Sequence, residues 1–102
     1  MVEELREKSA ALREICRNYD VLRLDVFGSA SRDDFDEKRS DFDFLVKFAV
    51  SSTIRPGKQY FGFLHALEDL FGRPVHLAED FTGQKPAFLA RIESDRKQLY
   101  AA

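Results

Sequence analysis

Asp25-Val-Phe-Gly-Ser29, eleven further residues, then Asp41-Phe-Asp-Phe-Leu-Val-Lys-Phe48: this stretch decides the fold. Ahead of Gly28, Leu22, Leu24 and Val26 alternate with Arg23, Asp25 and Phe27, the period of a strand. Gly28-Ser29-Ala30-Ser31 ends that strand, and Ser29 or Ser31 is placed to cap a short helix through Arg32 to Phe35. From Asp41 the period of two resumes: Phe42, Phe44, Val46 and Phe48 share one face, and Asp41, Asp43, Leu45 and Lys47 the other. Two residues apart on a strand is about 6.6 to 7 Å, so both carboxylates sit side by side, away from the Phe face. Gly28 closes one strand and Asp41 opens the next. The two can meet only if those strands run antiparallel.

On the N-terminal side, Leu5, Leu12, Ile15, Cys16 and Tyr19 fall on one side of an amphipathic helix over Val2 to Arg17, with alternating acids and bases on the other. The charged side is read as solvated. Asn18 to Asp20 breaks the helix. On the C-terminal side, Ala49 to Gly57 has no period and reads as a loop. Lys58 to Phe71 carries a helical stripe of Tyr60, Phe63, Leu64, Leu67, Leu70 and Phe71, with Gly72 at the position that ends helices. His65 is a boundary residue of that helix. Pro74 to Ala78 is a short strand, and the strand-helix-strand order predicts that it lies parallel to the Asp41 strand. Pro86 opens a last helix with Phe88, Leu89, Ile92 and Leu99 on its sparser apolar face. These elements predict an α/β (α+β) domain: a small mixed three-stranded sheet with helices packed on one face, spanning residues 1–102 as a single unit.

Composition narrows the function classes. Sixteen basic and eighteen acidic residues give a formal charge of −2, so long-range attraction does not hold the chain on nucleic-acid backbones and non-specific nucleic-acid binding is excluded. No apolar run approaches a bilayer-spanning length, and the expectation is a cytoplasmic protein without membrane attachment. A single Cys rules out an internal disulfide framework and a multi-Cys zinc site. Cys16 reads as a small core residue. Ten Phe and no Trp assign the interior largely to Phe.

A Gly-Ser turn alone is an ordinary strand ending, and an Asp-x-Asp alone is an ordinary exposed strand face. Together, on antiparallel strands, they bring backbone N–H groups and the Ser29 hydroxyl to the same place as two carboxylates. Terminal phosphates suit the first group. Magnesium suits the second, because it prefers hard oxygen ligands and takes one or two carboxylates alongside substrate oxygens and water. Phosphoryl and nucleotidyl transfer needs this positioning and neutralisation more than a protein nucleophile.

These residues resemble the minimal nucleotidyltransferases of the DNA polymerase β superfamily, including the antitoxin halves of HEPN toxin pairs. The likeness runs through Leu22-Arg-Leu-Asp-Val-Phe-Gly-Ser-Ala-Ser-Arg32, Ser40-Asp-Phe-Asp-Phe-Leu-Val46 and Leu70-Phe-Gly-Arg-Pro-Val-His-Leu77. It implies a polymerase-palm-like fold, Gly28 and Ser29 on nucleotide phosphates with Arg32 assisting, and Asp41 and Asp43 on catalytic Mg²⁺. ATP is the implied substrate. Where the family carries a third acid in the short last strand, this chain has His76. Either His76 serves as the base, or it is the relic of a lost site, or it is a plain strand residue. Asp25 and, more weakly, Glu79 are the candidate replacements for the missing acid. Asp33, where the family commonly has Gly, adds negative charge near the phosphates.

Two functions follow from the resemblance. In the first, the chain transfers AMP from ATP to a tyrosine hydroxyl of a HEPN-type partner, which must present the acceptor because this chain has no domain to do so. In the second, it is a binding module that keeps the fold and neutralises a partner, pairs with itself, or only binds nucleotide.

Overall fold

In a computed structural model the described residues are 2–31, 41–79 and 96–102, with Ser29 and Ala30 described by backbone alone. The elements in chain order are α1 (Glu3–Glu7), α2 (Ser9–Asn18), β1 (Val21–Phe27), a 3-10 turn (Gly28–Ser31), β2 (Phe42–Phe48), α3 (Pro56–Phe71), β3 (Val75–Glu79) and β4 (Lys97–Ala101). The sheet runs in the order β3-β2-β1-β4. β1 is antiparallel to β2 and to β4, and β2 is parallel to β3. The mixed sheet expected from the position of Gly28 relative to Asp41 is therefore present, with one strand more than expected.

The extra strand is β4. Leu99, assigned in the sequence to a final helix, lies instead in a strand paired with β1. Leu99 and Tyr100 stand next to each other between Gln98 and Ala101, so this short segment carries no strand period to set it apart from the end of a helix. Pro86, Phe88, Leu89 and Ile92 lie outside the described residues. The expected N-terminal helix is two helices, broken at Lys8. There the Lys8 ammonium donates to the Glu4 carboxylate (3.1 Å) and to the Leu70 carbonyl (2.9 Å), tying the break to the end of α3. α3 begins at Pro56, two residues earlier than expected, because proline is pre-organised for the first helical position. It ends as expected on Gly72 in the left-handed conformation, φ 63°.

One face of the sheet carries the core. Leu24, Val26, Phe42, Phe44, Val46, Val75 and Leu77 meet Leu5, Leu12 and Cys16 from α1 and α2, and Phe63, Leu67 and Phe71 from α3. Phe fills much of it: Phe42 meets Phe71 edge-on at 4.8 Å between centroids, and Phe48 meets Phe63 at 5.6 Å. A bulge between Val21 and Arg23 reverses the phase at the start of β1, so Val21 is buried and Leu22, expected inside, faces out. Gln59 is a buried polar side chain that the apolar stripe did not reveal. Its amide donates to the carbonyls of Tyr19 (2.8 Å) and Ala49 (3.0 Å), fastening the start of β1 and the end of β2 to α3. Cys16 is fully buried, and burial pushes its thiol up to about 12, so it is protonated at neutral pH. No helix among the described residues is long and apolar enough to cross a membrane.

Candidate functional site

β1 ends, and β2 and β3 begin, at one end of the sheet. The register pairs Phe27 with Asp43 and Asp43 with His76, so these three side chains form a row across the face opposite the core. Asp41 stands one residue before β2. The alternation that buries Phe42, Phe44 and Val46 is what turns Asp43 outward.

Gly28 packs against this row. Its φ is +70°, and a Cβ built there would lie 2.6 Å from Asp43 Oδ2. Glycine is thus required twice, for the left-handed backbone and for the closeness of the carboxylate. The chain then enters the 3-10 turn, in which the buried Ser31 hydroxyl donates to the Gly28 carbonyl at 2.8 Å. The short helix expected through Arg32 to Phe35 lies outside the described residues. The Ser29 side chain and all of Arg32 and Asp33 lie outside what is described.

On the other side of the pair, His76 Nε2 is 3.0 Å from Asp41 Oδ2. A carboxylate only accepts, so Nε2–H is the donor. Burial raises the Asp43 carboxyl above its ordinary value; the neighbouring His76 lowers it and the like charge of Asp41 raises it. Two carboxylates crowded in this way are a place where a divalent cation relieves repulsion. Among the described residues no group of three or more His, Cys, Asp and Glu side chains forms a metal cluster. Two carboxylates open to substrate oxygens fit magnesium, which does not require an all-protein cage.

The two proposed substitutes for a third acid are elsewhere. Asp25 shares the outer face but is fully buried, accepting from Arg23 Nε at 3.0 Å and from Arg96 Nε on its second oxygen. Its charge is neutralised in place. Arg23, two residues before Asp25 on the same face, was the available sign of this pairing; Arg96 comes from the far end of the chain and gave none. Glu79, expected beyond the strand, is the last residue of β3, opposite Val46 and remote from the rung of Asp43 and His76. The structure brings together Gly28, Asp41, Asp43 and His76, and it leaves out Asp25 and Glu79.

A family model described as nucleotidyltransferase domain matches residues 8–100. The chain belongs to that family. Among solved structures, this nucleotidyltransferase domain is similar to a protein assigned as a minimal nucleotidyltransferase, with 26% identity, a TM-score of 0.73 and coverage of 93% of this chain and 92% of that one. It also has the fold of a chain in a tri-AMPylated Shewanella oneidensis HEPN toxin–MNT antitoxin complex, at 16% identity and TM-score 0.65, covering 96% of this chain and 73% of that one. A toxin–antitoxin structure with AMP-PNP gives 18% identity and TM-score 0.69, with 92% and 73% covered. A sequence comparison with curated proteins returns no match.

Proposed function

We propose that this nucleotidyltransferase domain transfers AMP from ATP to a tyrosine hydroxyl of a HEPN-type partner, acting as its antitoxin. The observation that carries the reading is the contact of the Gly28 turn with the Asp43 carboxylate, beside Asp41 and His76. Gly28, Ser29 and Arg32 receive the phosphates, and Asp41 and Asp43 hold Mg²⁺. Magnesium, when bound, neutralises charge on the phosphates. The acceptor oxygen bonds to the α-phosphorus, the bond to the bridging oxygen breaks, and pyrophosphate leaves. The hydroxyl proton passes to His76 Nδ1, while Asp41 holds the ring by Nε2–H. The similarity to structures of AMPylated toxin with antitoxin, and of toxin–antitoxin with AMP-PNP, supports the choice of nucleotide and partner.

A second reading has its own support. His76 occupies an oxygen of Asp41, and Asp25 is locked by two arginines. A chain in that state binds nucleotide or neutralises its partner without transfer. Incubating it with α-labelled ATP, Mg²⁺ and a HEPN partner separates the two. Label on the partner that disappears in Asp41→Asn/Asp43→Asn supports the transferase; an unlabelled partner in a stable complex supports the binding module.

A further inference from the structure

Among the described residues the buried polar side chains are Asp25, Ser31 and Gln59. Gln59 fastens β1 and β2 to α3, and Asp25 is neutralised by Arg23 and Arg96. Ser31 ends the Gly28–Ser31 turn. Its side chain has no exposure to solvent, and its hydroxyl donates to the Gly28 carbonyl at 2.8 Å. Alanine would fill almost the same space without a polar group to bury, so packing alone does not call for a hydroxyl here. The carbonyl that it holds does.

That carbonyl belongs to the position of the turn with the widest conformational choice. Gly28 has no Cβ and sits at φ +70°, so rotation of the peptide that follows it meets little steric resistance. The i→i+3 pattern of the 3-10 turn gives this carbonyl a bond of modest geometry, and its second lone pair is open to the Ser31 hydroxyl. Both bonds hold one peptide. No peptide bond among the described residues is cis, and in a trans peptide the carbonyl and the following N–H point in opposite directions. Drawing the Gly28 carbonyl towards a buried hydroxyl therefore turns the Ser29 N–H outward. Gly28 lies against Asp43, so that N–H is presented from the backbone beside the carboxylate pair.

We infer that Ser31 is a positioning residue of the nucleotide site: its buried hydroxyl fixes the Gly28–Ser29 peptide so that the Ser29 N–H faces the phosphates. The inference rests on the reading of this turn as the phosphate-holding part of the site, and it applies whether AMP is transferred or the nucleotide is only bound. Ser31 itself touches no phosphate. Its effect reaches the ligand through one peptide unit.

The test compares the ¹⁵N-labelled full chain with Ser31→Ala and Ser31→Thr, by calorimetric titration of AMP-PNP with Mg²⁺ and by the NMR amide signals. In the parent, the Ser29 amide is expected to shift on binding. Ser31→Ala should bind about fivefold more weakly, as the loss of one hydrogen bond implies, and its Ser29 amide should already be displaced before ligand is added. Ser31→Thr keeps the hydroxyl and should restore both affinity and signal. If its extra methyl lowers the melting temperature, Ser31→Ala decides alone: a lower melting temperature with unchanged affinity would make Ser31 a purely structural part of the turn and overturn the inference. So would parent shifts at 28 and 41–43 with none at 29, or a Ser31→Thr chain of parental melting temperature that binds as weakly as Ser31→Ala. Absence of parent shifts at 28 and 41–43 would remove the nucleotide reading and the inference with it, a failure distinguishable from that of Ser31 alone.

Discussion

Gly28 and Asp43 constrain each other. A Cβ at position 28 would meet Asp43 Oδ2 at 2.6 Å, at a φ of +70°. Gly28→Ala therefore incurs roughly 1–2 kcal/mol for the left-handed backbone, and it also displaces the carboxylate. Its melting temperature should fall, and its affinity for Mg²⁺–AMP-PNP should fall by about tenfold or more, measured by calorimetry. Asp43 makes the opposite prediction for stability. Its folded-state carboxyl is raised above the ordinary value, chiefly by burial, so ionisation is disfavoured in the folded chain. That penalty is fully present above the folded pKa and disappears as pH falls to the unfolded value. In EDTA, Asp43→Asn should melt higher than the parent at neutral pH, and the difference should shrink on acidification into the carboxylate range. A variant that melts lower at neutral pH would show that the carboxylate is favourably held.

At the scale of elements, α3 does more than cover the sheet. Gln59 fastens β1 and β2, while Tyr60 and Glu68 occupy backbone groups of β3. Its Gly62 lies against Tyr19, where an added Cβ would come within 2.6 Å of the ring. Alanine in place of glycine favours a helix by about 1 kcal/mol, whereas overpacking costs about 1–3 kcal/mol. Gly62→Ala should thus destabilise the chain by about 1 kcal/mol in urea denaturation; a gain in stability would mean that Tyr19 swings aside freely. The helical stripe of α3 and the alternation of β2 were legible because each repeats over several turns or residues. β4 was not, since five residues at a strand edge carry little periodic signal, and the break at Lys8 depends on a carbonyl of α3 that no local pattern contains.

For the whole molecule, the order of motifs was enough to fix the antiparallel meeting of Gly28 with the Asp41–Asp43 strand and the parallel placement of His76 beside it. What the sequence left open was the fate of Asp25. An aspartate in a strand looks the same whether it faces a metal or an arginine, and here one of its partners lies seventy-one residues away. The outer face of the sheet is thereby divided: a neutralised Asp25 towards β4, and the crowded pair Asp41 and Asp43 between Gly28 and His76. One Mg²⁺–nucleotide site at that pair is the central claim. Its most direct test is calorimetric titration of AMP-PNP into the chain, with Mg²⁺ and with EDTA, for the parent and for Asp41→Asn/Asp43→Asn. Binding that needs Mg²⁺ and weakens by about tenfold or more in the double variant is the predicted result. Equal affinity without the metal, or unchanged affinity in the variant, would contradict it.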